Sequence, residues 1–448
     1  MRSWAVVAVL CALLSGCAHK GKDNVIRLDG SDFEVRKEVL PNGLTVILAE
    51  DHSVPVVSYA TWYRVGSVWE SNGATGIAHL FEHLMFKGTP RFPAQTFFNR
   101  LESRGANVNA FTERDSTVYY ETVASAYLKD VIELEADRMS SLNLNEDVLE
   151  GERKVVLEER RMRVDSDFRA QMLLELYAMA FPNHPYGVPV IGYEEDIKAI
   201  PLSQCRDFYS TYYQPANAFV AIAGDFKVAE ALRWIQKEYG RIKGKPVPPL
   251  RLEAPEPLMF ERRKVMYRPV ESESFVVGYR IPEMSHPDIS ALSTLSAVLF
   301  GLGSARAKEI IVREKQLAVG VSAEVVLAPN PSLFMITADL RAGFPVERVH
   351  SEIDALIDDV RTEPISENEL ARVKRWMELG MMSETKSGFG LASMVLFGEY
   401  YWKDTGAVFR QFENVMRLTV ADLLRVARMY LGKENRVVVY MKPRGRSQ

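Results

Sequence analysis

His79 and His83 lie four residues apart in a stretch, 76–88, that contains no proline and has a glycine at each end. Such flanking residues predict one short helix. Side chains at i and i+4 project from the same helix face, so the two imidazoles lie one turn apart. Glu82 shares the face of His79, which gives the order H-x-x-E-H. Two imidazoles at this spacing can bind one zinc ion, and the adjacent carboxylate can take a proton from a zinc-bound water.

The alternative is that these are ordinary core or surface histidines, which are the more common kind on an amphipathic helix. The chain has seven histidines, and only this pair has helical ligand spacing and also brackets a glutamate. The pattern therefore favours a metal site over two unrelated histidines.

Length and composition limit the possible classes of protein. The 448 residues predict about two or three domains. A hydrophobic content of 47% and a charged content of 25% are those of an ordinary globular protein. The net charge of −4, without a basic run, gives no reason to expect nucleic-acid binding.

The first residues indicate export. A short basic head precedes the apolar run 4–14, which has the length of a signal peptide and is too short to span a bilayer. The segment ending at Cys17 resembles a bacterial lipobox, so we expect a lipoprotein signal over 1–17, lipid on Cys17 and a tether over 18–30. The alternative is an ordinary signal peptide with an incidental cysteine. Ala18 favours a lipid anchor in the outer membrane of the cell envelope, facing the periplasm, and no other contact with a membrane is expected.

Cys205 is then the one cysteine that is neither removed with the signal nor lipidated, because Cys11 lies within the signal. No intrachain disulfide framework is therefore expected. A lone cysteine of this kind is predicted to pack as a small apolar side chain rather than to act as a nucleophile.

The two halves of the chain repeat one pattern. In the first half, a helix predicted over 202–213 precedes a strand over 218–223, and a helix ending near Tyr430 precedes a strand over 436–440 in the second half. Matching Tyr213 to Tyr430 gives an offset of 430 − 213 = 217 residues. The repeat predicts two copies of one α+β domain.

The domain boundaries follow from a proline-rich segment. Five prolines fall within 243–257, which leaves little room for regular structure and indicates a linker. We therefore expect an N-terminal zinc domain over 31–242 and a homologous C-terminal domain over 258–448. The predicted helix over 289–300, which corresponds to the metal helix, has no histidine, so the second domain is expected to bind no metal.

A charged helix predicted over 146–163 offers further carboxylates. Glu152 and Glu159 are two turns apart and share a face with Val155 and Val156 between them. Any one glutamate on such a helix could be a solvated surface residue. Because the shared face also carries apolar residues, we expect it to turn inward, where a carboxylate needs a partner such as zinc.

Together these motifs resemble the pitrilysin-type (inverzincin, M16) zinc peptidases, in particular the short branch of bacterial and mitochondrial-processing-peptidase-like members. The resemblance covers nearly all of the mature chain. It rests on the segment His79–His83 with the L-M-F-K-G-T that follows, and on an E-R-x-x-V-x-x-E helix that begins at Glu152. Glu159 lies 76 residues after His83, which fits the family's spacing.

The resemblance implies a fold, a cofactor and roles. The fold would be two homologous α/β-roll domains, with antiparallel-rich sheets packed against helices, of the LuxS/MPP-like metallohydrolase type. His79, His83 and Glu159 would bind one zinc ion per chain. Glu82 would be the catalytic general base, and Glu152 a supporting carboxylate.

The resemblance also implies a place for the substrate. The segment around Asn109 and Ala110 is similar to the family's N-A-x-T strand, onto which an extended peptide adds as a further strand. Asn109 and Ala110 would contact the peptide backbone. Without the family, a plain hairpin is the better interpretation of these residues.

One departure from the family concerns the second domain, where an Arg and a Tyr hold the substrate carbonyl. Arg313 is kept, but Val319 stands where the Tyr is expected. The resemblance therefore implies a heterodimer with an inactive subunit of the same family that supplies the Arg/Tyr pair, with a homodimer as the second choice.

These features predict a zinc metalloendopeptidase that cleaves peptides or unfolded polypeptides in the cell envelope. The alternative from a different class is a non-catalytic scaffold subunit, because the family includes such members without the zinc ligands. A metal-binding transport or chaperone lipoprotein is a further alternative, although it would not need Glu82 as a base.

Overall fold

The computed structural model describes residues 19–20, 25–27 and 34–444. The expected signal over 1–17, including Cys17, lies outside the described residues. Within 18–30 the sequence predicts a tether, but 19–20 and 25–27 form short antiparallel strands that extend a sheet. The described part of this segment therefore belongs to the fold, because its backbone pairs with the first long strand.

The strands fall into two groups separated by 243–257, which contains no helix or strand. Their bounds are β1 (His19–Lys20), β2 (Val25–Arg27), β3 (Glu34–Val39), β4 (Thr45–Glu50), β5 (Val56–Tyr63), β6 (Asn107–Thr112), β7 (Thr117–Ala124), β8 (Ala218–Gly224), β9 (Arg262–Arg268), β10 (Ser274–Ile281), β11 (Ala318–Val325), β12 (Ser332–Leu340) and β13 (Arg436–Pro443).

The helices occur in both halves. Their bounds are α1 (Ile77–Leu84), α2 (Ala94–Glu102), α3 (Leu128–Ser140), α4 (Glu146–Arg160), α5 (Phe168–Ala180), α6 (Glu194–Ala199), α7 (Leu202–Tyr212), α8 (Val228–Tyr239), α9 (Ile289–Ser296), α10 (Val346–Thr362), α11 (Glu367–Thr385), α12 (Gly388–Trp402), α13 (Ala407–Arg417) and α14 (Val420–Tyr430). Helices α4 and α9 each continue into a π-helical turn, over Arg161–Asp165 and Ala297–Gly301.

Five strands of the first sheet have the same order as the whole second sheet. The first sheet runs β1-β2-β3-β4-β8-β5-β7-β6, and its part β4-β8-β5-β7-β6 corresponds to β9-β13-β10-β12-β11 in the second. Strands β1, β2 and β3 extend the first sheet beyond β4. In each sheet a single parallel pair, β4 with β8 and β9 with β13, lies beside antiparallel neighbours. This confirms the predicted α+β fold of two related units.

The repeat also corrects the predicted alignment by one residue. Tyr212 and Tyr430 each end a helix, and the carbonyl of each accepts a hydrogen bond from an asparagine amide five residues later, Asn217 and Asn435. The equivalent of Tyr430 is therefore Tyr212, not Tyr213. Because Tyr212 and Tyr213 are adjacent, the sequence alone does not show which of them corresponds to Tyr430.

Each sheet is covered on one face by a helix from the other half of the chain. Helix α12 packs on β4 and β8 of the first sheet, where Leu391 and Val395 are buried against Ile47. Helix α5 packs on β10 and β13 of the second sheet, where Leu176 is buried against Val276. The halves thus exchange one helix each.

Two smaller expectations concern burial. Cys205 is fully buried in the core of the first half, and burial raises the pKa of its thiol to about 11. This confirms that it packs as an apolar group. Across the described ranges, no helix combines the length and the apolar character needed to cross a bilayer.

Candidate metal centre

The backbone fixes the start of the metal helix α1. Gly76 has φ of +91°, and a Cβ placed there would lie 2.5 Å from the carbonyl oxygen of Ile191, so only glycine fits. The buried carboxylate of Glu70 accepts hydrogen bonds from the amides of Gly76 (2.8 Å) and Ala78 (2.9 Å). These bonds satisfy two of the free amides at the helix N-terminus.

The histidines of α1 converge with a glutamate from α4. Oε2 of Glu159 lies 3.1 Å from Nε2 of His83 and 3.7 Å from Nε2 of His79. One ligand atom from each residue lies within 4.8 Å of the others, and among the described residues this is the group that could hold a metal ion. The structure therefore brings together the three ligands that the sequence predicts.

Helix α4 turns a narrow face toward α1. Glu152 and Val156 are buried and Glu159 is partly buried, as expected for residues on one face. Val155 is 48% exposed, so its predicted burial is wrong. The helix packs through the row that contains 152, 156 and 159, and Val155 lies to one side of it.

Glu152 supports His83 from behind. Its Oε2 lies 3.5 Å from Nδ1 of His83, and its Oε1 lies 2.6 Å from Nζ of Lys87. A carboxylate on the outer nitrogen fixes the orientation of a ligating imidazole and directs its Nε2 inward. Glu152 thus contacts the outer nitrogen of the predicted ligand His83 and does not offer a ligand atom of its own to the metal position.

Glu159 is held in a similar way. Its Oε1 lies 2.9 Å from a guanidinium nitrogen of Arg163, one turn further along the chain, while its Oε2 faces the histidines. The hydrogen bond with His83 lowers the pKa of Glu159. The carboxylate is therefore presented with one oxygen toward the cluster.

Glu82 lies beside the cluster without forming part of it. Its Oε2 is 4.0 Å from Nε2 of His79 and accepts a 2.7 Å hydrogen bond from the hydroxyl of Thr112. Burial raises the pKa of Glu82. The carboxylate is near enough to the ligand atoms to act on a molecule bound there.

The electrostatics of the cluster favour a cation. Burial lowers the pKa of His79 to about 4. Burial also acts to lower the pKa of His83, but hydrogen bonds with Glu152 and Glu159 outweigh it and raise this pKa to about 9. The nearby carboxylates thus stabilise positive charge at this point.

The donor set fits zinc. Two imidazole nitrogens and one carboxylate oxygen are a usual set of protein ligands for a catalytic zinc site, which keeps a further position open. All three donors converge from rigid helices, and the outer nitrogen of His83 already faces a carboxylate.

The predicted peptide-binding strand is an edge strand. Among the described strands, β6 pairs only with β7 and ends the first sheet, so no strand of the described ranges covers its outer side. Oδ1 of Asn109 accepts a 2.9 Å hydrogen bond from the amide of Ala110. The edge therefore has the geometry that adding a strand requires, and the contacts of both residues with a peptide stay a prediction.

Arg313 does not join this group. Its guanidinium pairs with Glu309 in its own π-helical segment, Lys308–Glu314. Arg313 and Val319 line a cavity of about 210 Å³, and Val319 is 69% exposed. The role of Arg313 toward a substrate stays a prediction.

Four further residues around the site escaped the sequence analysis: Glu70, Lys87, Thr112 and Arg163. Lys87 and Thr112 fall within motifs that carry the resemblance. The sequence does not show that their partners are Glu152 and Glu82. Glu70 accepts hydrogen bonds from a helix that begins seven residues later, at Ile77, and in the sequence Arg163 is one more charged residue of a charged helix. Only tertiary contacts reveal these roles.

Two family models match the sequence. The model described as "Insulinase (Peptidase family M16)" matches residues 45–194, and the model described as "Peptidase M16 inactive domain" matches residues 199–377. The first range contains the candidate metal centre, and the second contains most of the C-terminal unit.

Individual relatives agree with the models. The chain is 31% identical over 409 residues to "Zinc protease PqqE" of Helicobacter pylori, which covers 90% of this chain and 92% of that protein. A crystal structure of a protease from Helicobacter pylori superposes with a TM-score of 0.86 at 30% identity and covers 91% of this chain and 99% of that one. A Pseudomonas fluorescens structure described as a peptidase M16 inactive domain has the same fold (TM-score 0.83, 19% identity, covering 92% of this chain and 98% of that one). The fold, the arrangement of the H-x-x-E-H helix and these matches agree that the chain belongs to the M16 family of peptidases, in its short bacterial branch.

Proposed function

We propose that the chain is a zinc-dependent metalloendopeptidase that acts on peptides or unfolded polypeptides. The observation that carries the proposal is the convergence of His79, His83 and Glu159 with Glu82 beside them. A non-catalytic member would have no need of a partly buried carboxylate next to a complete ligand set. The name of the Helicobacter pylori relative supports the same activity and the same metal.

Each residue has a distinct part in this proposal. His79, His83 and Glu159 would hold a zinc ion, which would supply Lewis-acid activation of a water molecule and of the scissile carbonyl. Glu82 takes the proton from the attacking water and passes it to the leaving amine. Glu152 holds His83 in the orientation that points Nε2 inward.

The substrate is proposed to bind as a strand along the open edge of β6. Ala110 and its neighbours offer backbone groups there, and Thr112 of the same strand contacts Glu82. A peptide that runs past this edge can extend in both directions, which supports cleavage within a chain rather than at its end.

A partner subunit is part of the proposal. Val319 offers no hydroxyl, and Arg313 is engaged with Glu309. We propose that an M16-like subunit without its own zinc ligands supplies an Arg/Tyr pair, with a homodimer as the second choice. The alternative function is a non-catalytic scaffold subunit. The state of Arg313 and Val319 is the observation that favours this alternative.

The proposed location is the cell envelope. The apolar run before Cys17 and the small residues next to that cysteine support lipid anchoring at the outer membrane, on the periplasmic side. The lipid on Cys17 would be the only attachment to the membrane.

The test is peptide cleavage by the purified mature chain. We would assay a quenched peptide library with and without a chelator, measure bound zinc per chain, and compare Glu82→Gln with the matched control Glu158→Gln. Glu158 lies next to Glu159 but is exposed and pairs with Arg161. We expect the wild type to cleave peptides. The chelator and Glu82→Gln should each abolish this cleavage, and Glu158→Gln should leave it unchanged.

The other outcomes separate the alternatives. Bound zinc without cleavage would indicate that the partner subunit is required, and adding a candidate partner should then restore cleavage. Absence of both zinc and cleavage would overturn the peptidase proposal and leave the scaffold.

A further inference from the structure

The hydroxyl of Thr112 donates a 2.7 Å hydrogen bond to Oε2 of Glu82. The two residues lie 30 positions apart and on different elements, the edge strand β6 and the metal helix α1. The carboxylate of Glu82 is partly buried, so a hydrogen bond to one oxygen restricts its position strongly. The contact joins the proposed base to the proposed substrate strand.

The alternation of β6 explains why this residue reaches the helix. Side chains of a strand point to opposite faces in turn, so Val108, Ala110 and Thr112 share a face. Val108 and Ala110 pack on the core that contains α1. Phe111 points to the other face, where its ring meets Trp62 edge-on at 6.4 Å.

The backbone of the same residues faces the open edge. At the hairpin end the amide of Glu113 donates to the carbonyl of Ser116, the residue before β7, so this amide points inward across the hairpin, while the carbonyl of Glu113 accepts from the amide of Ser67. In an antiparallel pair the inward and outward positions alternate, which directs the backbone groups of Thr112 and Ala110 outward. The amide of Ala110 is bonded there by the side chain of Asn109.

From these contacts we infer that Thr112 is a positioning residue for the base: its hydroxyl fixes one oxygen of Glu82 and leaves the other free to take a proton. The backbone of the same residue faces an added peptide strand. A substrate that pairs with β6 next to Thr112 is therefore brought alongside a carboxylate that is already oriented. This inference rests on the proposed function and adds a residue to it.

The plain alternative is that Thr112 is a strand residue whose hydroxyl happens to find an acceptor. Threonine is common in strands because its branched side chain suits a pleated surface. The two readings differ in what the loss of the hydroxyl alone does, because Thr112→Val keeps the branched shape and removes only the donor.

The kinetic test compares Thr112→Val, Thr112→Ser and the control Thr122→Val. Thr122 lies on β7, and its hydroxyl is 3.4 Å from that of Ser58 and not near Glu82. We expect Thr112→Val to lower kcat by about tenfold or more with KM unchanged, a part of the roughly 10²- to 10⁴-fold that a positioned acid or base contributes. Thr112→Ser retains the hydroxyl and should keep kcat near the wild-type value. Thr122→Val should leave kcat unchanged.

The same proteins give a readout that needs no activity. Urea midpoints of the metal-free wild type, Thr112→Val, Glu82→Ala and the double variant form a double-mutant cycle. We expect Thr112→Val to lower the midpoint in the wild-type background and to have little effect once Glu82 is absent. Thr122→Val should shift the midpoint equally in both backgrounds.

Several results would overturn the inference. These are an additive cycle, a kcat for Thr112→Val within twofold of wild type, or a loss that appears in KM alone. A wild type that binds zinc but cleaves nothing would contradict the proposed function, and the stability cycle would still decide whether Thr112 holds Glu82.

Discussion

Nζ of Lys87 lies 2.6 Å from Oε1 of Glu152, whose other oxygen lies 3.5 Å from Nδ1 of His83. The lysine lies three residues after the end of α1, so one short stretch of chain supplies both the predicted ligand His83 and the cation that holds Glu152 beside it. Burial acts to raise the pKa of Glu152, but its bonds to His83 and Lys87 outweigh this and lower it. An ionised carboxylate is thereby kept on the outer nitrogen of His83.

We therefore predict that Lys87→Met weakens zinc binding by no more than about tenfold, because Lys87 contacts Glu152 and not a ligand, and losing the outer-shell partner of a ligand itself costs about 10- to 100-fold. Competition with a zinc-binding dye measures the affinity. The control is Lys154→Met, because Lys154 is exposed on α4 and lies 3.8 Å from Glu150. An equal loss in both variants would indicate a general effect of charge, and no loss in Lys87→Met would contradict the role of the lysine.

Zinc is predicted to stabilise the folded chain, and above its Kd the stabilisation should grow with the logarithm of the zinc concentration. A ligand that binds only the native state at 100 times its Kd adds about 2.7 kcal/mol to the free energy of unfolding. Thermal unfolding with and without zinc should show this shift in the wild type and in Glu158→Gln. His83→Ala removes one of three ligands and should abolish it. A shift of the same size in His83→Ala would mean that zinc binds elsewhere.

The pH dependence of stability is predicted to include a contribution from Glu70. Burial raises the pKa of this carboxyl to about 8 despite its bonds to the amides of Gly76 and Ala78. The folded state therefore binds a proton that the unfolded state has already lost between the model-peptide value and about pH 8. Stability falls as pH rises through this interval, by at most about 1.4 kcal/mol per pH unit for one group.

Glu70→Gln tests this sign. The amide keeps one acceptor oxygen and cannot ionise, so the variant is expected to be less stable than wild type at pH 5 and to approach it as pH rises to 8. Urea unfolding at several pH values gives the difference. Glu194→Gln is the control, because Glu194 is exposed and its hydrogen bond with Lys198 lowers its pKa, so no change is expected across this interval. A constant difference between Glu70→Gln and wild type would contradict the assignment.

The part of the site that the sequence predicted is the part set by local geometry. His79, Glu82 and His83 follow from the helical period alone, and the face shared by Glu152 and Glu159 follows from the same period. The error at Val155 marks the limit, because the period tells which residues are neighbours on a helix but not how wide the packed face is.

The rest of the site depends on contacts between elements that are distant in the chain. Thr112 meets Glu82 across 30 residues, and the partner of Lys87 lies 65 residues later, at Glu152. Neither a hydroxyl on a strand nor a lysine after a helix has a pattern that names its partner. The fold itself was predictable because strand and helix order repeats. The exchange of α5 and α12 was not, since an apolar helix sequence does not identify the sheet that the helix covers.

That exchange predicts that the two halves unfold together. Leu176 of α5 is fully buried on the second sheet, where a Cβ added at Gly278 would lie 3.2 Å from its Cδ2. Leu176→Ala should lower the free energy of unfolding by about 2–5 kcal/mol, as expected for a large-to-small change in a core. Because α12 binds the second half back onto the first sheet, this loss should appear in a single transition. Urea unfolding followed by both tryptophan fluorescence and circular dichroism measures it, and the two probes should give coincident curves.

Leu379→Ala is the control, because Leu379 is 66% exposed on α11 and its loss should change stability by no more than about 0.5 kcal/mol. Two separate transitions, with only the second displaced by Leu176→Ala, would mean that each sheet keeps its structure without the helix from the other half.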